Sequence, residues 1–121
     1  MSRVLVVDDH PMTLELLSAR LEAMGLEVDL ATTGKAALQR VAVNQPDLIL
    51  LDVMMPEMDG FEVTRRLKSD PATAGVKVVL LTALGSSEDE IAGRSAGADG
   101  YLRKPFQKQE LRELVERMLD H

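Results

Sequence analysis

The chain has 121 residues, a formal net charge of −6 and no cysteine. This length suits one domain, and 45% hydrophobic with 28% charged residues is typical of a globular protein with a buried core. The acidic balance and the few aromatic side chains argue against a nucleic-acid surface, and the missing cysteines exclude disulfides and thiolate sites. The N-terminal stretch resembles neither a signal peptide nor a membrane span. We therefore expect one cytoplasmic domain, residues 1–121, with no membrane partner.

Short apolar runs alternate along the chain with segments of helical periodicity. The predicted strands, in chain order, are residues 4–7, 27–31, 48–51, 76–81 and 100–102. Residues 4–7 (VLVV), 48–51 (LILL) and 78–81 (VVLL) are apolar at every position, which is typical of strands covered on both faces of a parallel sheet. The helical segments that follow them contain residues 14–24, 35–44, 61–69, 85–97 and 111–118.

The fourth helical segment differs from the others in composition. It is rich in glycine and serine from Gly85 to Gly97, and its one large apolar residue is Ile91. Each interior glycine destabilises a helix by roughly 1 kcal/mol relative to alanine, so we expect this helix to be among the least stable elements.

Five strand–helix units in 121 residues predict an α/β fold with an open sheet, since a closed eight-stranded barrel needs about twice this length. Right-handed crossovers would place helices on both faces of the sheet and gather the loops after the strands at one edge. Open α/β sheets bind their ligands at this edge.

Polar side chains follow four of the predicted strands at that edge. Asp8 and Asp9 follow the first strand, Asp52 the third, Thr82 the fourth and Lys104 the fifth. Taken together, they predict a ligand site of three carboxylates, one hydroxyl and one ammonium group.

Each of these residues also has a structural explanation by itself. Asp9 could cap the first helix, Asp52 could bond its own turn, and Lys104 could be a solvated surface lysine. His10 is adjacent to the acid pair, and we expect it to be a surface residue rather than a ligand.

The charges of the predicted site indicate what it binds. Three carboxylates and one ammonium give −3 + 1 = −2, which a divalent cation neutralises. Carboxylate oxygens without thiolate or histidine ligands favour Mg²⁺, with Mn²⁺ as the alternative. A cation held by carboxylates opposite a lysine is suited to phosphoryl transfer, with an aspartate as a feasible nucleophile.

Four segments resemble the receiver domain of bacterial two-component response regulators. They are VVDD at 6–9, LLDVMMPEMDG at 50–60, LLTA at 80–83 and GYLRKPF at 100–106. The resemblance implies a doubly wound (βα)5, flavodoxin-like three-layer sandwich with a five-stranded parallel sheet of order 2-1-3-4-5.

The resemblance also implies roles for individual residues. Asp52 corresponds to the phosphoacceptor, and Mg²⁺ would be held by Asp8, Asp9, Asp52 and the backbone carbonyl of Met54.

Three further matches lie in the second half of the chain. Thr82 and Lys104 match the hydroxyl and the lysine that bind the phosphoryl group, and Tyr101 matches the switch aromatic. The Lys104–Pro105 bond matches a cis peptide of the family.

The implied function is that of a phosphoacceptor in a two-component phosphorelay. A histidine kinase or histidine phosphotransfer protein would donate the phosphoryl group, and the surface of the fourth helix, fifth strand and fifth helix would control a downstream protein or output domain. Such a domain promotes its own phosphorylation and dephosphorylation but is not a turnover enzyme. We expect this domain to make no direct contact with nucleic acid. The sequence does not decide whether the domain forms a dimer on phosphorylation.

Three alternatives belong to other classes of protein. A dehalogenase-like phosphatase would carry an Asp-x-Asp motif after its first strand, and a flavodoxin-like flavin binder would need a Ser/Thr/Gly loop there; this chain has neither. A pure protein-binding module with an unused site is the third, and Mg²⁺ would then leave its thermal stability unchanged.

Overall fold

The computed structural model describes residues 2–83 and 87–119. Strands and helices alternate throughout these two ranges. The strands are β1 (Arg3–Val7), β2 (Glu27–Ala31), β3 (Leu48–Asp52), β4 (Lys77–Thr82) and β5 (Gly100–Arg103). The helices are α1 (Pro11–Ala23), α2 (Gly34–Val43), α3 (Gly60–Ser69), α4 (Ser87–Ala96) and α5 (Lys108–Leu119).

The predicted elements are all present and differ from the observed ones only at their ends. The predicted fourth helical segment reached back to Gly85; residues 84–86 lie outside the described residues, and α4 begins at Ser87. Ile91 is exposed, so the one large apolar residue of that segment does not anchor α4 to the core. None of the helices in the described ranges is long and apolar enough to cross a bilayer.

The five described strands form one parallel sheet in the order β2-β1-β3-β4-β5, as the resemblance implied. Helices cover both faces of the sheet, which gives three layers. One core cluster joins the sheet to α2 and α3, and the other joins it to α1 and α5.

Alternation along a strand explains why the central strands are apolar at every position. In β1, Val4 and Val6 belong to the cluster beneath α1 and α5, whereas Leu5 and Val7 belong to the cluster beneath α2 and α3. Successive side chains point to opposite faces, and both faces are buried.

The register brings the carboxyl ends of the central strands level with one another. Val7 pairs with Leu51, so the next residues, Asp8 and Asp52, are neighbours at the carboxyl ends of β1 and β3. On the side of β3 away from β1, β4 ends at Thr82, which pairs with Arg103 of β5. The backbone N–H of Lys104 then donates to the carbonyl of Thr82 at 2.7 Å. This edge holds the predicted site residues.

Candidate functional site

Two buried carboxylates and one lysine form the centre of the site. Asp8 is fully buried and Asp52 is 4% exposed. The ammonium of Lys104 lies 2.8 Å from Asp8 Oδ2 and 3.5 Å from Asp52 Oδ1. Lys104 is therefore not the solvated surface lysine that its sequence context allowed, because it forms ion pairs with both acids.

His10 also reaches this cluster. Its Nδ1 lies 2.9 Å from Asp8 Oδ1 and 3.0 Å from Asp9 Oδ1, and its backbone N–H donates to the same oxygen of Asp8 at 2.9 Å. The side chain is 67% exposed, as expected for a surface residue, but its ring contacts two carboxylates. Sequence reasoning missed this contact, and the one available signal was the position of His10 directly after the acid pair.

Asp9 lies at the rim of the site. Its side chain is 32% exposed, and the prediction that it could cap α1 is wrong, because the N-cap residue is His10, whose side chain makes no capping hydrogen bond. Pro11 occupies the first helical position, where a backbone N–H would have no acceptor within the helix, so its absence in proline costs nothing. Asp9 is thus placed for a role at the site rather than at the helix end.

Opposing effects act on the pKa of Asp8. Burial raises the pKa of its carboxyl, but hydrogen bonds from Lys104 and His10 together outweigh burial. The pKa of Asp8 consequently lies below its ordinary value, and its ionised form is stabilised.

At Asp52 the effects that raise the pKa outweigh those that lower it. Burial is the largest influence and raises the pKa of Asp52; the charge of Lys104 lowers it, and the negative charge of Asp8 raises it again. The net shift of the Asp52 pKa is upward, which agrees with the repulsion expected between carboxylates that share a site.

The pKa of His10 is also raised, first by its hydrogen bond to Asp8 and then by the charge of Asp9.

The loop after β3 contributes a backbone hydrogen bond to the carboxylate of Asp52. The N–H of Met54 donates to Asp52 Oδ1 at 3.3 Å, while the Met54 side chain is exposed. At the start of α3, Asp59 accepts from the N–H of Glu62 and so caps the helix. A Cβ on Gly60 would lie 2.6 Å from the Asp52 carbonyl oxygen, so the helix can approach the strand this closely only because residue 60 is glycine.

Thr82 and Tyr101 lie on the β4–β5 side. Thr82 is the last residue of β4 and is half-buried. Tyr101 is half-buried and packs against the core cluster beneath α2 and α3. Its ring lies over Gly93 of α4, where an added Cβ would be 2.5 Å from Tyr101 Cε1. The peptide bond between Lys104 and Pro105 is cis.

The donor atoms fit a divalent cation. One ligand atom from each of Asp8, Asp9, His10 and Asp52 lies within 4.8 Å of the others. Carboxylate oxygens of this number and charge are what Mg²⁺ binds in proteins, and the partly exposed rim leaves room for the waters that Mg²⁺ retains.

Comparison with known proteins shows the family. The family model described as the response regulator receiver domain matches residues 4–116, and the chain therefore belongs to this family. The sequence is 44% identical over 119 residues to the DNA-binding dual master transcriptional regulator RpaA of Synechocystis, covering 98% of this chain and 49% of RpaA. The dehalogenase-like and flavin-binding classes are thereby set aside.

Solved structures show the same fold. Chemotaxis response regulator CheY4 of Vibrio cholerae has a TM-score of 0.93 at 34% identity, with 98% of this chain and 99% of that chain covered. The receiver domain of sensor histidine kinase PA1611 from Pseudomonas aeruginosa has a TM-score of 0.91 at 29% identity, with coverage of 99% and 98%. That structure has a magnesium ion coordinated in its active site cleft.

The chain spans only part of the curated relatives it matches. It covers 49% of RpaA, 23% of response regulator PleD from Caulobacter vibrioides and 46% of response regulator MprA from Mycobacterium. Receiver domains thus occur in these proteins beside further sequence.

Proposed function

We propose that residues 1–121 form one receiver domain in which Asp52 accepts a phosphoryl group, in a Mg²⁺-dependent reaction, from a histidine kinase or a histidine phosphotransfer protein. The observation that carries this proposal is the placement of buried Asp52 beside a second buried acid, Asp8, with the ammonium of Lys104 between them. Membership of the receiver-domain family supports it.

The reaction would begin with Asp52 as nucleophile. A carboxylate oxygen of Asp52 forms a bond to phosphorus while the bond from phosphorus to the donor imidazole nitrogen breaks, and that imidazole keeps the electron pair. The N–H of Met54 at 3.3 Å and Lys104 at 3.5 Å restrict the orientation of the Asp52 carboxylate. The product is an acyl phosphate, which water can later hydrolyse.

The cation would be held by the carboxylates of Asp8, Asp9 and Asp52 and by the backbone carbonyl of Met54. When bound, Mg²⁺ (or Mn²⁺) would neutralise charge on the phosphoryl oxygens. The low pKa of Asp8 favours this role, because an ionised carboxylate is the form that binds a cation.

Lys104 and Thr82 would bind the phosphoryl oxygens. Lys104 already lies within ion-pair distance of Asp52, and its backbone is tied to that of Thr82 by a hydrogen bond of 2.7 Å. The acyl phosphate carries about one more negative charge than the carboxylate, so both side chains would be drawn toward it.

The response would pass to the surface formed by α4, β5 and α5. Movement of Thr82 would let Tyr101 reorient and would shift the glycine- and serine-rich segment around α4 between two packings. A marginally stable helix can be biased in this way by a few kcal/mol. The exposed Ile91 and the helix-weakening glycine at position 93 agree with a marginally stable α4.

The surface would control a downstream protein or an output domain. RpaA is a DNA-binding regulator of which this chain matches about half, and a DNA-binding partner domain is one output consistent with that likeness. The receiver itself would bind no nucleic acid and would work in the cytoplasm. Any dimer that it forms would depend on phosphorylation. It would promote its own phosphorylation and dephosphorylation without turnover of a substrate.

Intact-mass measurement tests the phosphoacceptor directly. The wild type, Asp52→Asn and the control Asp70→Asn are incubated with acetyl phosphate, with and without Mg²⁺. We expect one phosphoryl group on the wild type and the control, only with Mg²⁺, and none on Asp52→Asn. Phosphorylation of Asp52→Asn at the wild-type rate would remove Asp52 from this role, and a wild type that neither gains mass nor is stabilised by Mg²⁺ would favour the pure binding module.

A further inference from the structure

The ammonium group of Lys68, in the last turn of α3, joins three segments of the chain. Its Nζ lies 2.9 Å from Asp99 Oδ2 and donates to the carbonyls of Ala74 at 3.1 Å and Val76 at 2.7 Å. An ammonium group has three N–H donors, so each of them has an acceptor here. The side chain is only 19% exposed, and electrostatic contacts shielded from water are stronger than exposed ones. Lys68 is therefore held in one position.

Asp99, the charged partner of Lys68, is also fixed to β4. Asp99 Oδ2 accepts from the N–H of Val78 at 2.8 Å, and the N–H of Asp99 donates to the carbonyl of Val78 at 2.8 Å. Val78 is fully buried, and Asp99 directly precedes β5. Lys68 thus ties α3 to the turn between α4 and β5, and this turn is itself attached to the start of a core strand.

The methylene groups of Lys68 pack against the end of α4. Gly97 has a φ of +100°, the left-handed conformation that ends many helices, and its N–H donates to the carbonyls of Gly93 and Arg94. A Cβ on Gly97 would lie 3.0 Å from Lys68 Cγ and 3.3 Å from Lys68 Cβ. The stem of the lysine therefore lies directly over the turn whose next acid its ammonium group binds.

The signal of the proposed function would reach α4 at the opposite end. Thr82 is the last residue of β4, and α4 begins five positions later at Ser87. A displacement of Thr82 therefore acts on the first turn of α4, whereas Lys68 holds the residues after its last turn. A helix that is held at one end turns about that end, and a terminal residue with backbone freedom, such as Gly97, absorbs the change.

We propose that Lys68 is a positioning residue that fixes the C-terminal end of α4 to α3 through Asp99, so that α4 responds to phosphorylation as a hinged helix that turns about Gly97 and does not shift as a whole. This inference deepens the proposed function and rests on it for the source of the movement. The anchor itself is a property of the unphosphorylated protein.

Amide hydrogen exchange of the full chain, without phosphodonor or divalent cation, tests the anchor. The variants are Lys68→Met, which keeps an unbranched stem but has no ammonium group, Asp99→Asn and their double variant. Arg65→Met is the matched control, because Arg65 lies on the same helix, is 53% exposed and pairs with Glu62.

We expect the amides of residues 97–99 to exchange at least about tenfold faster in Lys68→Met than in the wild type, after correction for any change in the amides of β1, which report global unfolding. Asp99→Asn should have a similar effect. The double variant should exchange no faster than Lys68→Met by more than about twofold, since both changes remove the same ion pair. Arg65→Met should leave these amides unchanged.

A second arm adds Mg²⁺ and beryllofluoride, a mimic of the phosphoryl group. In the wild type we expect the mimic to change exchange most in the first turns of α4 and by less than about twofold at residues 97–99. In Lys68→Met the change should extend through residues 97–99, because the C-terminal end of α4 is then released.

Two results would overturn the inference. One is exchange at residues 97–99 that rises in Lys68→Met only as much as exchange in β1, which would make Lys68 a contributor to global stability alone. The other is a wild type in which the mimic changes both ends of α4 equally. A wild type that does not bind the mimic would instead contradict the proposed phosphoacceptor site, and the first arm would still decide whether Lys68 anchors α4.

Discussion

Lys104 and Asp8 are 96 positions apart in the chain, yet the lysine Nζ lies 2.8 Å from Asp8 Oδ2. The ion pair joins the residue after β5 to the residue after β1, across the carboxyl edge of the sheet. Asp8 is fully buried, so its negative charge depends on this partner for compensation.

Replacing Lys104 with methionine should therefore destabilise the protein. The variant leaves Asp8 and Asp52 buried together without the ammonium group that pairs with both. We expect the free energy of unfolding to fall by about 2–3 kcal/mol at neutral pH. This is less than for a fully buried pair, because Lys104 is partly exposed. Urea denaturation without divalent cations measures the change. Lys108→Met, at the exposed start of α5, is the control and should change stability by less than about 0.5 kcal/mol.

The pH dependence of that loss has a definite sign. The folded-state pKa of Asp8 is lowered from 3.8, so its contribution to stability is present above that value and is lost as the pH falls through the lowered pKa. The difference between wild type and Lys104→Met should shrink at acid pH. A difference that stayed constant from neutral to acid pH would show that the lysine stabilises the fold by packing alone.

Asp52→Asn should have the opposite effect on stability. The folded-state pKa of Asp52 is raised above 3.8, so its ionisation destabilises the native state as the pH rises from that value through the raised pKa. Carboxylate oxygens of Asp8 and Asp52 lie within 4.8 Å of each other, so at an effective dielectric of 20 the two charges repel by at least about 3.5 kcal/mol, of which the charge of Lys104 offsets a part.

We expect Asp52→Asn to raise the free energy of unfolding by roughly 1 kcal/mol at neutral pH, a fraction of that repulsion. Below the ordinary pKa of an aspartate the gain should vanish, since both proteins then carry a neutral group at position 52. Denaturation curves at neutral and acid pH, with a chelator present, measure this. Equal stability of the two proteins at every pH would contradict the raised pKa of Asp52.

Gly93→Ala should displace the ring of Tyr101. A Cβ at position 93 would lie 2.5 Å from Tyr101 Cε1 and 3.0 Å from Leu80 Cδ1. Alanine adds about 1 kcal/mol of helix propensity, but overpacking costs about 1–3 kcal/mol, so a net loss of roughly 1 kcal/mol is expected.

The chain has one tyrosine and no tryptophan, so tyrosine signals report Tyr101 alone. Near-ultraviolet circular dichroism should weaken in Gly93→Ala. Gly75→Ala is the matched control, because a Cβ there meets nothing within 4 Å. An unchanged tyrosine spectrum in Gly93→Ala would mean that the position of the Tyr101 ring does not require a glycine at residue 93.

Gly60→Ala should disturb the phosphoacceptor strand. The added Cβ would meet the Asp52 carbonyl oxygen at 2.6 Å and the Val53 Cα at 3.0 Å, and backbone cannot turn away as a flexible side chain can. We expect a loss of about 2–3 kcal/mol in unfolding free energy and slower phosphorylation by acetyl phosphate. Wild-type stability in Gly60→Ala would show that α3 can shift away from β3 at little cost.

The order of elements and the edge that carries the site could be predicted from the sequence. Strands apolar at every position, such as residues 48–51, must be covered on both faces, and parallel strands bring their carboxyl ends to one edge. The positions of Asp8, Asp52, Thr82 and Lys104 at or directly after the strand ends therefore followed from local patterns. The sheet order came from the family resemblance rather than from periodicity.

Hydrophobic periodicity and chain direction place the strand ends, so they were enough to predict that the carboxylates, the hydroxyl and the lysine share one edge of the sheet. The individual contacts come from the folded structure: Lys104 is closer to Asp8 than to Asp52, His10 turns toward two carboxylates, and Tyr101 fills the space over Gly93. These contacts depend on side-chain rotamers and on separations of a few tenths of an ångström between segments distant in the chain. No local pattern of residues encodes such distances, since packing of the whole core sets them.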